Sequence, residues 1–534
     1  MATWNYVLHG GTIVDGTGAE PAPGDLAIGD DRIAAAGVLR LPADGTLPTV
    51  LNCSGLVVAP GFIDVHTHSD LTLLSAPEAS THLLQGVTTN VCGNCGWSAF
   101  PASGERAARI KEECEGYGMP FDWEDLTGFL KRVERTPAAI NRALLVGHGA
   151  VRGSVLGYAN RDPNAEELEA MRGHVRRAMD LGCLGISSGL IYPPGMYAKV
   201  EELVELAGLV AGAGGLYASH VRDEGAGLEG AVEEFLRIGR EGGLRVQFSH
   251  LKVSGQEHWH KIDWLLDRLE AARAAGLELF ADRYPYTASE TGLDILLPRW
   301  AFEGGTEEEL DRLKDRVARG RIEKEIAAAN PAPEFWERVV VGSVEAPELA
   351  ALQGRSIAEI AIERGRPPME VYFEILIEDR CRTGAMYHKL SEEHLERILG
   401  LDWVMIGSDS SARGTGGPTS RGLPHPRGCG TFPRVIARYV REKKLLTLSQ
   451  AVRKMTGLPA EAFGLKDRGV VRKGAFADLA VFDPQKFGDA ATYRNPKAPA
   501  TGLVHLFVNG RAVVINGKPT AERPGRLLRR GGDR

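Results

Sequence analysis

From about residue 60 to about residue 410 the chain repeats one arrangement: a short apolar run that closes on polar residues, then a longer amphipathic stretch. The apolar runs close at residues 66–68, 90–95, 146–148, 186–188, 219–220, 249–250, 282–284 and 407–409, which makes eight candidate strands. The stretches 166–181, 201–213, 229–241 and 262–275 place apolar residues at helical spacing and are long enough to be crossover helices. Strands alternating with helices specify a parallel sheet. Eight such units favour an α/β fold of the TIM (β/α)8 type, in which the carboxyl ends of all strands converge on one mouth.

At 534 residues the chain exceeds the roughly 250–300 residues at which a single core stops growing, so more than a barrel is expected. Residues 1–59 alternate short β-rich runs with turns, and residues 466–525 do the same at 477–483 and 503–510. The two ends predict one small β-sandwich completed by both termini, around a barrel spanning 60–465. A further β-rich run at 338–344 follows a charged helical stretch at 307–329 and does not fit a count of eight. It is placed in an insertion near 288–345, after the seventh strand. Thr447 and Gln450 form a capping box that opens a last barrel helix. Gly, Ser and Pro mark 410–424 as a loop, and the Arg-rich stretch 526–534 reads as a solvated polar tail.

A hydrophobic share of 43% with 25% charged residues is that of a globular protein. Net charge is −7 and the basic residues are dispersed, which argues against nucleic acid or an anionic membrane as partner. No early stretch has the pattern of a signal peptide, and no apolar run approaches the ~18 residues of a membrane span, so a cytoplasmic location is expected. Seven cysteines, an odd number, fit reduced thiols better than a disulfide framework. Monomer and homo-oligomer are equally compatible with this composition.

The polar residues that close the runs carry the chemistry. His66 and His68 lie two apart, so on a strand they project from one face. His220 and His250 each end a later run, and Asp409 ends the last. Four imidazoles and a carboxylate brought to one barrel mouth are a metal-ligand set rather than independent core polar residues. His148 ends the third run and is as well explained by packing. His258 and His260 form a second His-x-His in a polar connection and are read as surface. Cys92 and Cys95 are spaced as a redox pair, but no helix start lowers a thiol pKa there.

The order of these residues resembles the amidohydrolase superfamily. Within it, Gly93-Asn94-Cys95-Gly96, Ala218-Ser219-His220-Val221-Arg222, Ala281-Asp282-Arg283-Tyr284-Pro285-Tyr286 and His425-Pro426-Arg427 resemble the N-acyl-D-amino-acid deacylases, or D-aminoacylases. The resemblance covers nearly the whole chain. It implies zinc held tightly by Cys95, His220 and His250, with His66 and His68 at an adjoining, weaker second site. It implies Asp409 as the catalytic proton carrier, Arg427 as the residue that binds the substrate α-carboxylate, Lys252 and Tyr284 as its companions, and Tyr192 and Ser289 as further substrate-pocket residues. The substrate implied is a small N-acyl-D-amino acid, hydrolysed to a carboxylic acid and a D-amino acid. The loop 410–424, with Arg413 and Arg421, is longer than the corresponding link in those deacylases and leaves side-chain preference open.

Three alternatives compete. A hydantoinase-like cyclic-amide hydrolase would usually have a lysine on the fourth strand, where residues 184–189 have none. A deaminase would have glutamate three residues after the fifth-strand histidine, where this chain has Asp223. A non-catalytic scaffold would be expected to have lost ligands, and all five together with Asp409 are present.

Overall fold

The computed structural model describes residues 4–40 and 48–532. Eight parallel strands form the central sheet: β1 (Phe62–Asp64), β2 (Val87–Cys92), β3 (Asn141–Gly147), β4 (Gly185–Gly189), β5 (Leu216–His220), β6 (Arg245–Phe248), β7 (Leu279–Arg283) and β8 (Val404–Ile406). Each pairs with its neighbours in sequence order, the pairing of β1 with β8 excepted, which is made just beyond both strands. There Thr67 bridges Ser410 in parallel, the Asp409 N–H donates to His66 O at 2.8 Å and the His68 N–H donates to Ser410 O at 2.9 Å. The interior is filled by Ile63, Val91, Leu145, Leu184, Leu216 and Met405, all buried. The expected barrel is therefore present, with its helices outside, among them Ala165–Asp180, Val200–Gly212, Leu228–Gly242 and Ile262–Ala274. Thr447 and Gln450 make the expected reciprocal capping box.

The two chain ends join in one sheet. Val57–Pro60 runs antiparallel to Leu479–Phe482, with Val58 opposite Val481, so a strand from each end lies at the centre. Among the described residues the sheet has nine strands, and it folds around its own core of Leu8, Leu26, Ile33, Val58, Val481 and Phe507. Ile33 N–H donates to Ala475 O and Gly474 N–H to Ile33 O, both at 2.9 Å, which returns the far edge onto the C-terminal segment. Only Gly61 separates this sheet from β1, so the ends hold the first barrel strand in place.

Two segments differ from expectation. The excursion after β7 does not close near 345: it runs to Gly384–Tyr387, which lies between Ser289–Gly292 and Val339–Val341 in a separate antiparallel sheet. That returning strand is only four residues long, Gly384-Ala385-Met386-Tyr387, too short for periodicity to single it out. The stretch 526–534 is not simply a solvated tail. Leu527 and Leu528 pair in parallel with Arg142 and Ala143 of β3, and Leu528 closes the floor of the barrel interior at 2% exposure. The surrounding arginines dominate its composition, yet two leucines suffice to cover an apolar floor. Asp533 and Arg534 lie outside the described residues. No helix among the described residues is long and apolar enough to cross a membrane.

Phe62 ties the barrel to the terminal sheet. Its fully buried ring stacks on Phe432 at 5.6 Å between centroids and meets Phe482 and Phe487 at 6.2 Å. Phe62→Ala should cost about 3–5 kcal/mol and lower the thermal unfolding midpoint. Val38→Ala, at a side chain 95% exposed, should stay within about 0.5 kcal/mol.

Candidate metal centre

His66 and His68 follow β1, Cys95 stands in the loop after β2, His220 ends β5, His250 follows β6 and Asp409 follows β8. All face the mouth formed by the carboxyl ends of the strands. Two groups of donor atoms form there, His66, His68, Cys95 and Asp409 in one and Cys95, His220 and His250 in the other, with the atoms of each within 4.8 Å of one another. Cys95 belongs to both. Its Sγ lies 3.2 Å from His66 Nε2 and 3.7 Å from His250 Nε2, while His250 Nε2 is 2.9 Å from His220 Nδ1.

The backbone bends sharply to achieve this. Cys95, His250 and Asp409 have φ of 52°, 38° and 52°, in the left-handed region that side chains other than glycine rarely adopt. Such residues cost about 1–3 kcal/mol each and persist where the surroundings hold them. Around Cys95 the hold is backbone contact on both sides. A Cβ on Gly93 would lie 2.1 Å from Leu145 O and one on Gly96 2.6 Å from Gly189 N, so only glycine fits at either position. Asn94 Nδ2 donates to Val91 O at 2.9 Å and closes the turn.

The charges favour a cation. Burial raises the Cys95 thiol, yet His66 and hydrogen bonds from His220, His250 and His66 hold it well below its ordinary range. Burial lowers the His66 imidazole, but Asp282, Cys95 and Asp409 hold it well above. Burial opposes His68 in the same way, and hydrogen bonds with Asp409 and Cys95 lift it to about 9. Burial raises Asp409, and Arg427 and His66 bring it well below the usual carboxylate range. A thiolate, imidazoles and a carboxylate converging in a buried site suit a tetrahedral ion with bonds of about 2.0–2.3 Å, whose donors lie within about 4.6 Å of each other. Cys92 takes no part: its buried thiol receives a hydrogen bond from Thr67, and burial raises its pKa far above the ordinary value.

A cavity of about 580 Å³ opens on the cluster, and Tyr192, Lys252, Tyr284, Ser289 and Arg427 all line it. Arg427 Nη1 donates to Asp409 Oδ2 at 2.7 Å, while Asp409 Oδ1 faces His68 Nε2 at 3.1 Å. The guanidinium lies 4.8 Å over the Tyr284 ring, and its Nε has no partner among the described residues, nor has the buried Tyr284 hydroxyl. Lys252 Nζ donates to Glu224 Oε1 at 2.5 Å and lies 2.7 Å from His250 Nδ1. Tyr192 Oη pairs with Thr291 Oγ1 at 3.0 Å, and its ring meets that of His220 edge-on at 5.2 Å.

Sequence reasoning missed Glu224 and Asp282. Asp282 accepts from His66 Nδ1 at 3.1 and 3.2 Å through its two oxygens and from the His250 N–H at 3.0 Å. It ends the seventh candidate strand, so the signal of a polar residue at a strand end was present. Glu224 stands four residues after His220, one beyond the position tested for a deaminase, and faces His250 Nδ1 at 3.2 Å and His220 Nε2 at 3.6 Å. His148 is structural, 2.7 Å from Glu202 Oε1, and the His258 and His260 pair lies in a surface 3-10 turn. Arg413 turns back onto its own loop and donates to Thr419 O at 3.2 Å; neither it nor Arg421 lines the cavity.

Residues 49–518 match the amidohydrolase family model. A D-aminoacylase of Alcaligenes xylosoxydans xylosoxydans is 38% identical, covering 99% of this chain and 98% of its own length. An N-acyl-D-glutamate deacylase of the same organism is 37% identical over 98% and 96%. The crystal structure of an N-acyl-D-glutamate deacylase from Bordetella bronchiseptica, complexed with zinc and a phosphonate mimic of the tetrahedral intermediate, superposes with a TM-score of 0.83 at 34% identity, covering 99% of this chain and 100% of that one. Similarity of this extent, over a barrel whose strand ends gather metal-competent residues at one mouth, makes the chain a member of the amidohydrolase family.

Proposed function

We propose that the chain is a zinc-dependent deacylase that hydrolyses N-acyl-D-amino acids to a carboxylic acid and a D-amino acid. The observation that carries this reading is the position of Cys95, shared by two donor groups beside a cavity that also presents Arg427 and Lys252. In this reading Cys95, His220 and His250 hold one ion and His66 and His68 face a second, weaker one. Bound zinc supplies a water that is acidic near neutral pH and a Lewis acid for the amide carbonyl.

The chain's own groups do the rest. Asp409, kept ionised by Arg427, accepts a proton from the attacking water and returns it to the nitrogen as the C–N bond breaks. Arg427 holds Asp409 through Nη1 and donates to Glu290 O through Nη2 at 3.4 Å, and its guanidinium binds the α-carboxylate, with Lys252, the Tyr284 hydroxyl and Ser289 beside it. The Tyr192 phenol is kept protonated, first by burial and then by the charge of Cys95, and donates to the carbonyl oxygen. Asp282 orients His66 through Nδ1, which turns Nε2 to the cluster.

A linear amide is favoured over a cyclic one because β4 presents Ser187 and Ser188, not a lysine, and Ser188 is tied to Tyr217 at 2.6 Å. The D configuration follows the relatives. A cytoplasmic location is supported by seven cysteines that are all free.

A screen of N-acetyl amino acids of both hands beside hydantoins should yield only D-amino acids, with at least one equivalent of zinc in the folded protein; ring opening alone would overturn the reading. Asp409→Asn should retain metal and lose about 10²- to 10⁴-fold in kcat, and near-normal turnover would show the proton carrier to be misassigned. Cys95→Ala should lose the metal in elemental analysis. Asp282→Asn should weaken metal affinity about 10- to 100-fold in chelator competition.

A further inference from the structure

We infer that His425 is the positioning residue of the substrate carboxylate pocket: from behind the cavity wall, its two ring nitrogens fix Arg427 on one side and the segment carrying Ser289 on the other. This rests on the deacylase reading, in which Arg427 and Ser289 receive the α-carboxylate, and it assigns the group that sets their spacing.

The local sequence explains the arrangement. Arg427 opens the helix Arg427–Arg434, whose first N–H groups have no partner within the helix. Pro426 precedes it as the cap and has no side chain able to accept a hydrogen bond. His425, immediately before that proline, accepts instead: the Arg427 N–H donates to its Nδ1 at 3.0 Å. The other ring nitrogen, Nε2, donates to Ala288 O at 3.1 Å, and the His425 N–H donates to Glu290 Oε1 at 3.1 Å. Ser289 lies between those two acceptors, at the start of the strand Ser289–Gly292. One residue thus ties the helix that carries Arg427 to the strand that carries Ser289. Arg427 closes the link from its own end, where Nη2 donates to Glu290 O at 3.4 Å.

The partners also define the tautomer. Ala288 O can only accept, so Nε2 carries the proton; the Arg427 N–H can only donate, so Nδ1 carries the lone pair. Burial, and then the charge of Arg427, hold the imidazole well below its ordinary pKa, which keeps it neutral. The ring is 1% exposed and packed on three sides, with Tyr286 and Tyr493 edge-on at 5.1 and 5.2 Å between centroids and Tyr284 at 6.2 Å.

Ser289, Glu290 and Arg427 line the cavity, and His425 does not. It therefore acts on a substrate only through the groups it holds. The Arg427 head is anchored by Asp409 and its backbone by His425. With the second anchor gone, the guanidinium follows Asp409 alone and loses its place relative to Ser289. A two-sided clamp on a carboxylate depends on that spacing, since a misplacement of about 1 Å can cost about 10²-fold.

The test compares an N-acetyl-D-amino acid with its carboxamide, in which a neutral group of nearly the same shape replaces the α-carboxylate. The wild type should favour the acid in kcat/KM by about tenfold or more, the size of one charged hydrogen bond. In His425→Phe, which keeps an aromatic ring and loses both nitrogens, that acid-to-amide ratio should fall towards one, chiefly through a raised KM for the acid. In His425→Asn, whose side-chain oxygen can still accept from the Arg427 N–H, part of the ratio should return. Because it is taken within one protein, the ratio is insensitive to how much of a variant folds. A His425→Phe ratio equal to that of the wild type, with acid and amide slowed alike, would overturn the inference and leave the deacylase reading standing. Hydrolysis of D-compounds by the wild type without preference for the acid would remove Arg427 as the carboxylate ligand and this inference with it. Failure to hydrolyse any N-acyl-D-amino acid would remove the deacylase reading itself.

Discussion

The closure of the barrel between β1 and β8 is the constraint on which the site depends. The hydrogen bonds that close it are made by the backbone of His66, His68, Asp409 and Ser410. The two histidines and the carboxylate opposite them are thus set by the ring's own register, and a slip of one residue would turn each of them to the other face. The terminal sheet acts on the same point. It pairs strands from both chain ends and delivers the chain into β1 through Gly61, so the first strand is fixed at its start by that sheet and at its end by β8.

Burial explains why the cluster is electrostatically poised. A thiolate and a carboxylate are held ionised among imidazoles in a site that excludes most water, and each ionisation persists because neighbours oppose the cost of burial. Asp282 and Glu224 stand behind this set on the outer nitrogens of His66, His220 and His250. They decide which ring nitrogen faces the centre. His220 presents Nδ1 and His250 presents Nε2, so the two rings meet nearly at right angles, 85° apart, instead of stacking.

Most of the barrel is legible because each strand announces itself twice, by an apolar run and by the polar residue that ends it. Four of the five metal-competent residues read as candidates for that reason alone. Cys95 does not: it stands three residues past β2 in a glycine-bounded turn, and nothing in its periodicity separates it from Cys92. Only burial, which leaves Cys92 protonated beside Thr67, and the approach of three imidazoles to Cys95 divide the pair. Glu224 is opaque for a related reason. It occupies an irregular loop, where no spacing rule predicts that its carboxylate will turn back over two histidines. Leu527 and Leu528 are hidden by composition, since whether two leucines among arginines are exposed depends on an opening in the barrel floor nearly 400 residues away in sequence.

The insertion changes what the barrel mouth can select. The loops after β6 to β8 present Lys252, Tyr284 and Arg427 to the cavity, which in the proposed reading hold the α-carboxylate that every such substrate shares. The roof of the cavity is built on a separate antiparallel sheet with its own core of Leu293, Val341, Ile357 and Phe373. Residues there can vary without disturbing the ring register that sets the metal centre. Ser289 and Thr291 lie on the first strand of that sheet, one in the cavity wall and the other bonded to Tyr192, so the roof meets the reacting centre through one short strand. The metal centre and the cavity roof thus belong to two packing units that meet at the cavity.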